Sequence, residues 1–159
     1  MTDESRTVLL CFDGSPQSEH AAKVTGLLFP DATAHVLNVW EPVERIIARY
    51  AVLAPFMGEE LGEADTSVEE EATRLATNGA ELLTAAGLSA TPQIARLEST
   101  VWEAVLTVAD SLGADVIITG TRSLHGLREV VANTLSHALI QHSPRPVLAI
   151  PTPVPDASA

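Results

Sequence analysis

Short apolar runs alternate with segments of helical period along almost the whole chain, and no other feature restricts the fold as tightly. Thr7 to Phe12 (TVLLCF) is a continuous apolar run that stops at Asp13-Gly14-Ser15-Pro16. Such a run suits a strand covered on both faces that leads into a turn. Ser15 is placed to cap a helix whose first residue is Pro16, where the missing N–H costs nothing. Ala21, Thr25 and Leu28 give this helix an inner face, and Pro30 lies beyond its end. Ala34 to Trp40 (AHVLNVW) is a second strand, closed by Pro42. The chain therefore opens β-α-β.

Glu41 through Asp65 interrupts the alternation. It holds Pro42, Pro55, Gly58 and Gly62 around an apolar middle, and is expected to be a long loop with one helical turn, of the kind that covers a site or moves. Thr66 and Ser67 each precede a glutamate by three residues, Glu69 and Glu70. That is capping-box spacing, so a helix should start there. Val68, Ala72, Leu75, Ala76, Leu82 and Leu83 continue it at helical period, and Gly87 stops it. Ala90 to Leu97 is a third strand, and Pro92 inside it indicates an edge position or a late start. Thr100 with Glu103 opens the next helix, with Val101, Val105, Val108, Ala109 and Leu112 as its buried stripe. Val116 to Thr119 and Val147 to Ile150 complete the strands. This order predicts an α/β fold, an open, five-stranded, mostly parallel, Rossmann-like sheet with helices on both faces.

With 159 residues, 46% of them hydrophobic, the chain has the size of one domain with a full core. That domain is expected over 1–151, with 152–159 a disordered tail rich in proline and small residues. The N-terminal MTDESR carries no apolar run of signal-peptide or membrane-span length, so a cytoplasmic protein is expected. Cys11 is the single cysteine; it reads as a buried thiol rather than a redox or metal group. A net charge of -12 argues against nucleic acid and anionic membrane as partners, since both attract basic surfaces. The charge is uneven. Seven acidic residues fall between Glu59 and Glu71, whereas from Gly120 to Ile150 Arg122, Arg128 and Arg145 stand against Glu129 alone. Those arginines are either an anion site or ordinary surface cations.

Gly120 to Pro151 reads as strand end, glycine turn, helix start and closing strand. Backbone N–H groups at such a turn and helix start can converge on a phosphate. In an open parallel sheet, ligands bind at the carboxyl ends of the strands where the strand order reverses. If the ends of the first, second and fourth strands adjoin, Asp13 can accept from a ribose or base, the backbone near Val39 can meet an adenine edge, and the turn after Gly120 can hold phosphates. Asp13 also has a purely structural reading, as a turn aspartate accepting from the N–H groups that follow it. His125, His137 and His142 lack metal-ligand spacing, and Trp40 and Trp102 read as packing residues.

FDGS followed by a helix, V-x-N-V-W-E-P in the second strand, A-D-V-I-I-T-G-T-R in the fourth and S-H-A-L-I-Q-H-S-P-R-P-V-L-A-I-P at the end resemble the universal stress protein family over nearly the whole chain. The resemblance implies a five-stranded α/β fold, dimerisation through the last strand, and membership of either an ATP-binding or a non-binding group. The ATP-binding group carries G-x-x-G, nine residues, then G and S or T. Here Gly120 matches the first glycine, Ser123 replaces the second, Asn133 replaces the third and Thr134 supplies the hydroxyl, with the spacing Leu124 to Ala132 intact. It places Asp13 and Val39 at the nucleoside, and Gly120, Arg122, Ser123, Asn133, Thr134 and Ser136 around the phosphates.

Asparagine is the best non-glycine residue for a left-handed backbone, so Asn133 is a mild change if conformation is what matters, and its side chain can cap a helix starting at Thr134. If close approach matters instead, losing one charged hydrogen bond weakens binding by roughly ten- to a hundredfold. The expectation is a regulator that binds ATP or a related adenine nucleotide, with magnesium where a triphosphate requires it. The alternative is a nucleotide-independent dimeric interaction module. An enzyme such as a nucleotidyl transferase would carry S-G-G-x-D-S or H-x-G-H, and neither occurs. A homodimer through Val147 to Ile150 is expected, since this apolar edge would otherwise be unpaired.

Overall fold

The computed structural model describes residues 5–49, 61–121 and 134–153. In chain order the elements are β1 (Thr7–Cys11), α1 (Pro16–Leu28), β2 (Thr33–Trp40), α2 (Val43–Arg49), α3 (Leu61–Ala85), β3 (Ser89–Arg96), α4 (Val101–Leu112), β4 (Val116–Thr121), α5 (Leu135–His142) and β5 (Val147–Pro151). All five strands are parallel, in the order β3-β2-β1-β4-β5. The most apolar strand takes the centre: Val8, Leu9 and Leu10 of β1 are fully buried. β3, which contains Pro92, and β5 lie at the two edges, where a missing N–H or an open ladder is tolerated. Strand order reverses at β1, with β2 on one side and β4 on the other.

Successive side chains along each strand point to opposite faces. Val8, Leu10, Phe12, Val36 and Ile118 meet Ala21 and Ala22 of α1 and Ala80 and Leu83 of α3. Leu9, Cys11, Leu37 and Ile117 meet Val105 and Ala109 of α4 and Leu139 of α5. The end signals of the helices behave largely as their chemistry dictates. Ser15 Oγ accepts from Ser18 N–H at 3.3 Å with Pro16 opening α1, and Thr100 and Glu103 form a reciprocal capping box on α4. Gly87 and Gly113 take positive φ just beyond α3 and α4.

Several expectations are corrected. The segment 41–65 contains α2 and the first turn of α3, so Thr66 and Ser67 lie exposed inside a helix rather than at its start. Tertiary contacts account for the change: Asp65 turns back to accept Val43 N–H at 2.6 Å at the start of α2, and Arg45 donates to the carbonyls of Glu98 and Ser99. Leu28 is 57% exposed, and Val101 is 39% exposed rather than part of a buried stripe. Thr152 N–H donates to Thr121 C=O at 3.0 Å, and residues 154–159 of the expected tail lie outside the described residues. Among the described residues, no helix is long and apolar enough to cross a membrane.

Candidate functional site

At the carboxyl ends of β1, β2 and β4 the strand reversal leaves a cleft of about 210 Å³. Its floor is Cys11, Leu37, Val39 and Thr119. Val101 and Val105 of α4 and Leu135 of α5 form an apolar wall, and Asp13, Ser15, Ser18, Asn38 and Gly120 bring polar or backbone groups to it. Asp13, Val39 and Gly120, far apart in sequence, thus share one cavity.

Asp13 does what its Asp-Gly-Ser context demands: Oδ1 accepts Ser15 N–H at 3.0 Å. Desolvation pushes its pKa up, but hydrogen bonds from Ser15, Ser18 and its own N–H outweigh that and hold the carboxyl below its ordinary value. Asp13 is exposed where it lines the cleft, so its carboxylate is open to a ligand hydroxyl. Cys11 is inert by contrast. Burial, reinforced by the Asp13 charge, pushes its thiol up to about 12, which leaves almost no thiolate at neutral pH.

Gly120 lines the cleft from within β4, opposite Ile150, and a Cβ there would come within 2.3 Å of the Gln17 carbonyl oxygen and 3.0 Å of Ser18 N. The first turn of α1 packs directly on this backbone, so glycine is required here before any ligand is considered. At the start of α5 the N-cap is Thr134, whose Oγ1 accepts His137 N–H at 3.3 Å. The capping position expected for Asn133 is therefore filled one residue later. Thr134 Oγ1 lies 3.1 Å from Ser136 Oγ, and Ser136 is buried. Leu135, between them, reaches the cleft wall, whereas neither hydroxyl residue lines it. Arg122, Ser123, Asn133, Arg128, His125 and the spacer Leu124 to Ala132 lie outside the described residues.

Arg145 does not serve the cleft: its Nη1 donates to Asp110 Oδ1 of α4 at 2.6 Å. His142 stacks on Trp102 at 4.3 Å, joining α5 to α4, and Trp40 is buried under Arg96. Among the described residues, no group of three His, Cys, Asp or Glu side chains could hold a metal. Sequence reasoning missed Ser18 and Asn38. Asn38 had a visible signal, being a polar residue in the otherwise apolar run VLNVW.

A parallel sheet with an open cleft at its reversal point defines the Rossmann-like α/β class, in which that point is the usual place for a ligand. The chain belongs to the universal stress protein family, whose sequence pattern matches residues 4–151. It is similar to a universal stress protein of Thermus aquaticus encoded 3′ of a QAH/OAS sulfhydrylase, 28% identical over 91% of this chain and 98% of the relative. A universal stress protein structure from Burkholderia pseudomallei superposes with a TM-score of 0.69 at 23% identity, covering 92% of this chain and 96% of that one. A family structure from Arabidopsis thaliana, with AMP bound, superposes with a TM-score of 0.65 at 13% identity, covering 96% and 97%. Other solved universal stress proteins of this fold are complexes with dAMP and with cAMP.

Proposed function

We propose that this chain binds an adenine nucleotide in the β1–β2–β4 cleft and acts as a ligand-responsive regulator in the response to stress rather than as a fast catalyst. The convergence of Asp13, the Val39 backbone and the end of β4 in one cavity carries this reading. The described walls suit a nucleoside: an ionised carboxylate for ribose hydroxyls, a strand backbone for a base edge, and Val101, Val105 and Leu135 for the base plane. At about 210 Å³ the cleft is smaller than the roughly 300 Å³ at which drug-sized pockets begin. The phosphates are therefore assigned to Arg122, Ser123, Asn133, Thr134 and Ser136, beyond the described walls. AMP, dAMP and cAMP in solved family members support the choice of adenine. Asp13, the acidic residue among the described cleft walls, is assigned to binding. Isothermal titration with ATP and magnesium, and with AMP, should give saturable heat; none at millimolar nucleotide rejects the proposal.

A second reading is a dimeric interaction module that takes no nucleotide. It is favoured by Gly120, whose glycine the packing of α1 fully explains, together with the non-glycine residues Ser123 and Asn133. Binding that appears only in the Ser123→Gly, Asn133→Gly double variant would select this reading. On either reading the homodimer is proposed through β5, an edge strand. Sedimentation at micromolar concentration should show the dimer, and a monomer alone would contradict it.

A further inference from the structure

Where β1 and β2 part, their ladder ends in an unusual way. The last backbone rung is Phe12 N–H to Leu37 C=O at 2.9 Å. In a parallel pair the next bond would run from Val39 N–H to Phe12 C=O, since backbone groups two residues apart face the same neighbour. The Phe12 carbonyl instead accepts from Asn38 Nδ2 at 2.8 Å. Trp40 C=O faces the other way, accepting Leu97 N–H at 2.8 Å from the β3 side, so Val39 must face β1. No hydrogen bond ties Val39 N–H or C=O to a described residue there. Asn38 itself is 7% exposed, a polar side chain kept in the interior for one acceptor, and both it and Val39 border the cleft.

We infer that Asn38 is a positioning residue: by taking the Phe12 carbonyl it withholds the partner of Val39 and presents the Val39 N–H and C=O as a free donor–acceptor edge for a planar ligand. The inference rests on the proposed nucleotide reading for the identity of that ligand, though not for the backbone arrangement. Adenine offers an acceptor, N1, beside a donor, the 6-amino group, which complements one N–H and one C=O. Hypoxanthine reverses the pattern, with a donor at N1 and an acceptor at position 6. An edge built this way accepts AMP and rejects IMP.

The test has two arms. In the free wild-type protein, amide exchange followed by NMR should show Val39 N–H exchanging at least about tenfold faster than Leu37 N–H. In Asn38→Leu, Val39 should slow towards Leu37 as the backbone rung closes; Asn38→Ser serves in its place if the leucine variant does not fold. In the second arm, the preference for AMP over IMP should fall by about tenfold in the variant, the worth of one hydrogen bond. A merely structural asparagine would weaken both nucleotides alike. Protection of Val39 in the free wild type, unchanged exchange in the variant, or retained base preference overturns the inference. If neither nucleotide binds either protein, the nucleotide reading fails, and the exchange arm still decides the role of Asn38.

Discussion

The two faces of the sheet are covered by different means. On the α1/α3 side, close approach depends on missing side chains. A Cβ on Gly26 would lie 2.7 Å from that of Ala86, one on Gly79 would lie 2.7 Å from Val36, and one on Gly120 would meet the Gln17 carbonyl. On the α4/α5 side the helices have 12 and 8 residues, and the cover is incomplete above Cys11, Leu37 and Thr119, where the cleft opens. One face is a close-packed scaffold and the other is where a guest can complete the packing. The lesson is that the site needs both, since Asp13 and Gly120 are held by the tight face while the room for a ligand lies on the loose one.

Paired truncations have the largest expected effect on this contrast. Leu83 and Leu139 are both fully buried, one on each face. Leucine-to-alanine changes cost about 2–5 kcal/mol, depending on how far the surroundings collapse. Urea denaturation should place Leu83→Ala near the top of that range and Leu139→Ala nearer the bottom, and equal losses would show the faces to be packed alike. Gly120→Ala comes next, at about 1–3 kcal/mol for forcing a methyl against a backbone. Its thermal midpoint should fall by several degrees even without nucleotide, whereas a purely ligand-linked glycine would leave it unmoved.

Acid titration probes the hinge between the faces. The Asp13 pKa is depressed in the folded state, so its stabilisation is present above its ordinary value of 3.8 and lost as pH falls through the folded value. Asp13→Asn should therefore flatten the acid limb of the stability curve, by about 1 kcal/mol or less because the carboxylate is open to solvent. An unchanged acid limb would remove its hydrogen bonds from the stability argument. Smallest is Val101→Ala on the loose face, expected within about 0.5 kcal/mol of wild type. Titration calorimetry should nevertheless show weaker AMP binding, and unaltered affinity would remove Val101 from the wall.

Much of the fold was legible because local chemistry and tertiary packing agree. Ser15 with Pro16, Thr100 with Glu103, and Gly87 mark helix ends by backbone needs that exist before the chain collapses. Thr66 and Ser67 carried the same kind of signal and misled, because the contact between Asp65 and α2 extends the helix past a cap that is merely available. Val101 misled similarly: helical period assigns a face, but Val101 borders the open cleft, where that face is left uncovered. The candidate site was half legible. Asp13 and Val39 stand where motif and strand end placed them, whereas the packing role of Gly120 and the carbonyl taken by Asn38 depend on partners distant in sequence.

The alternation of apolar and helical segments specifies an α/β chain, its strands and most of its helix ends, since these follow from burial periodicity and from hydrogen bonds between near neighbours. The position of β1 between β2 and β4 emerges with the assembled sheet. Strand order depends on pairings between segments distant in sequence, and that order brings residues 13, 39 and 120 to a single cleft.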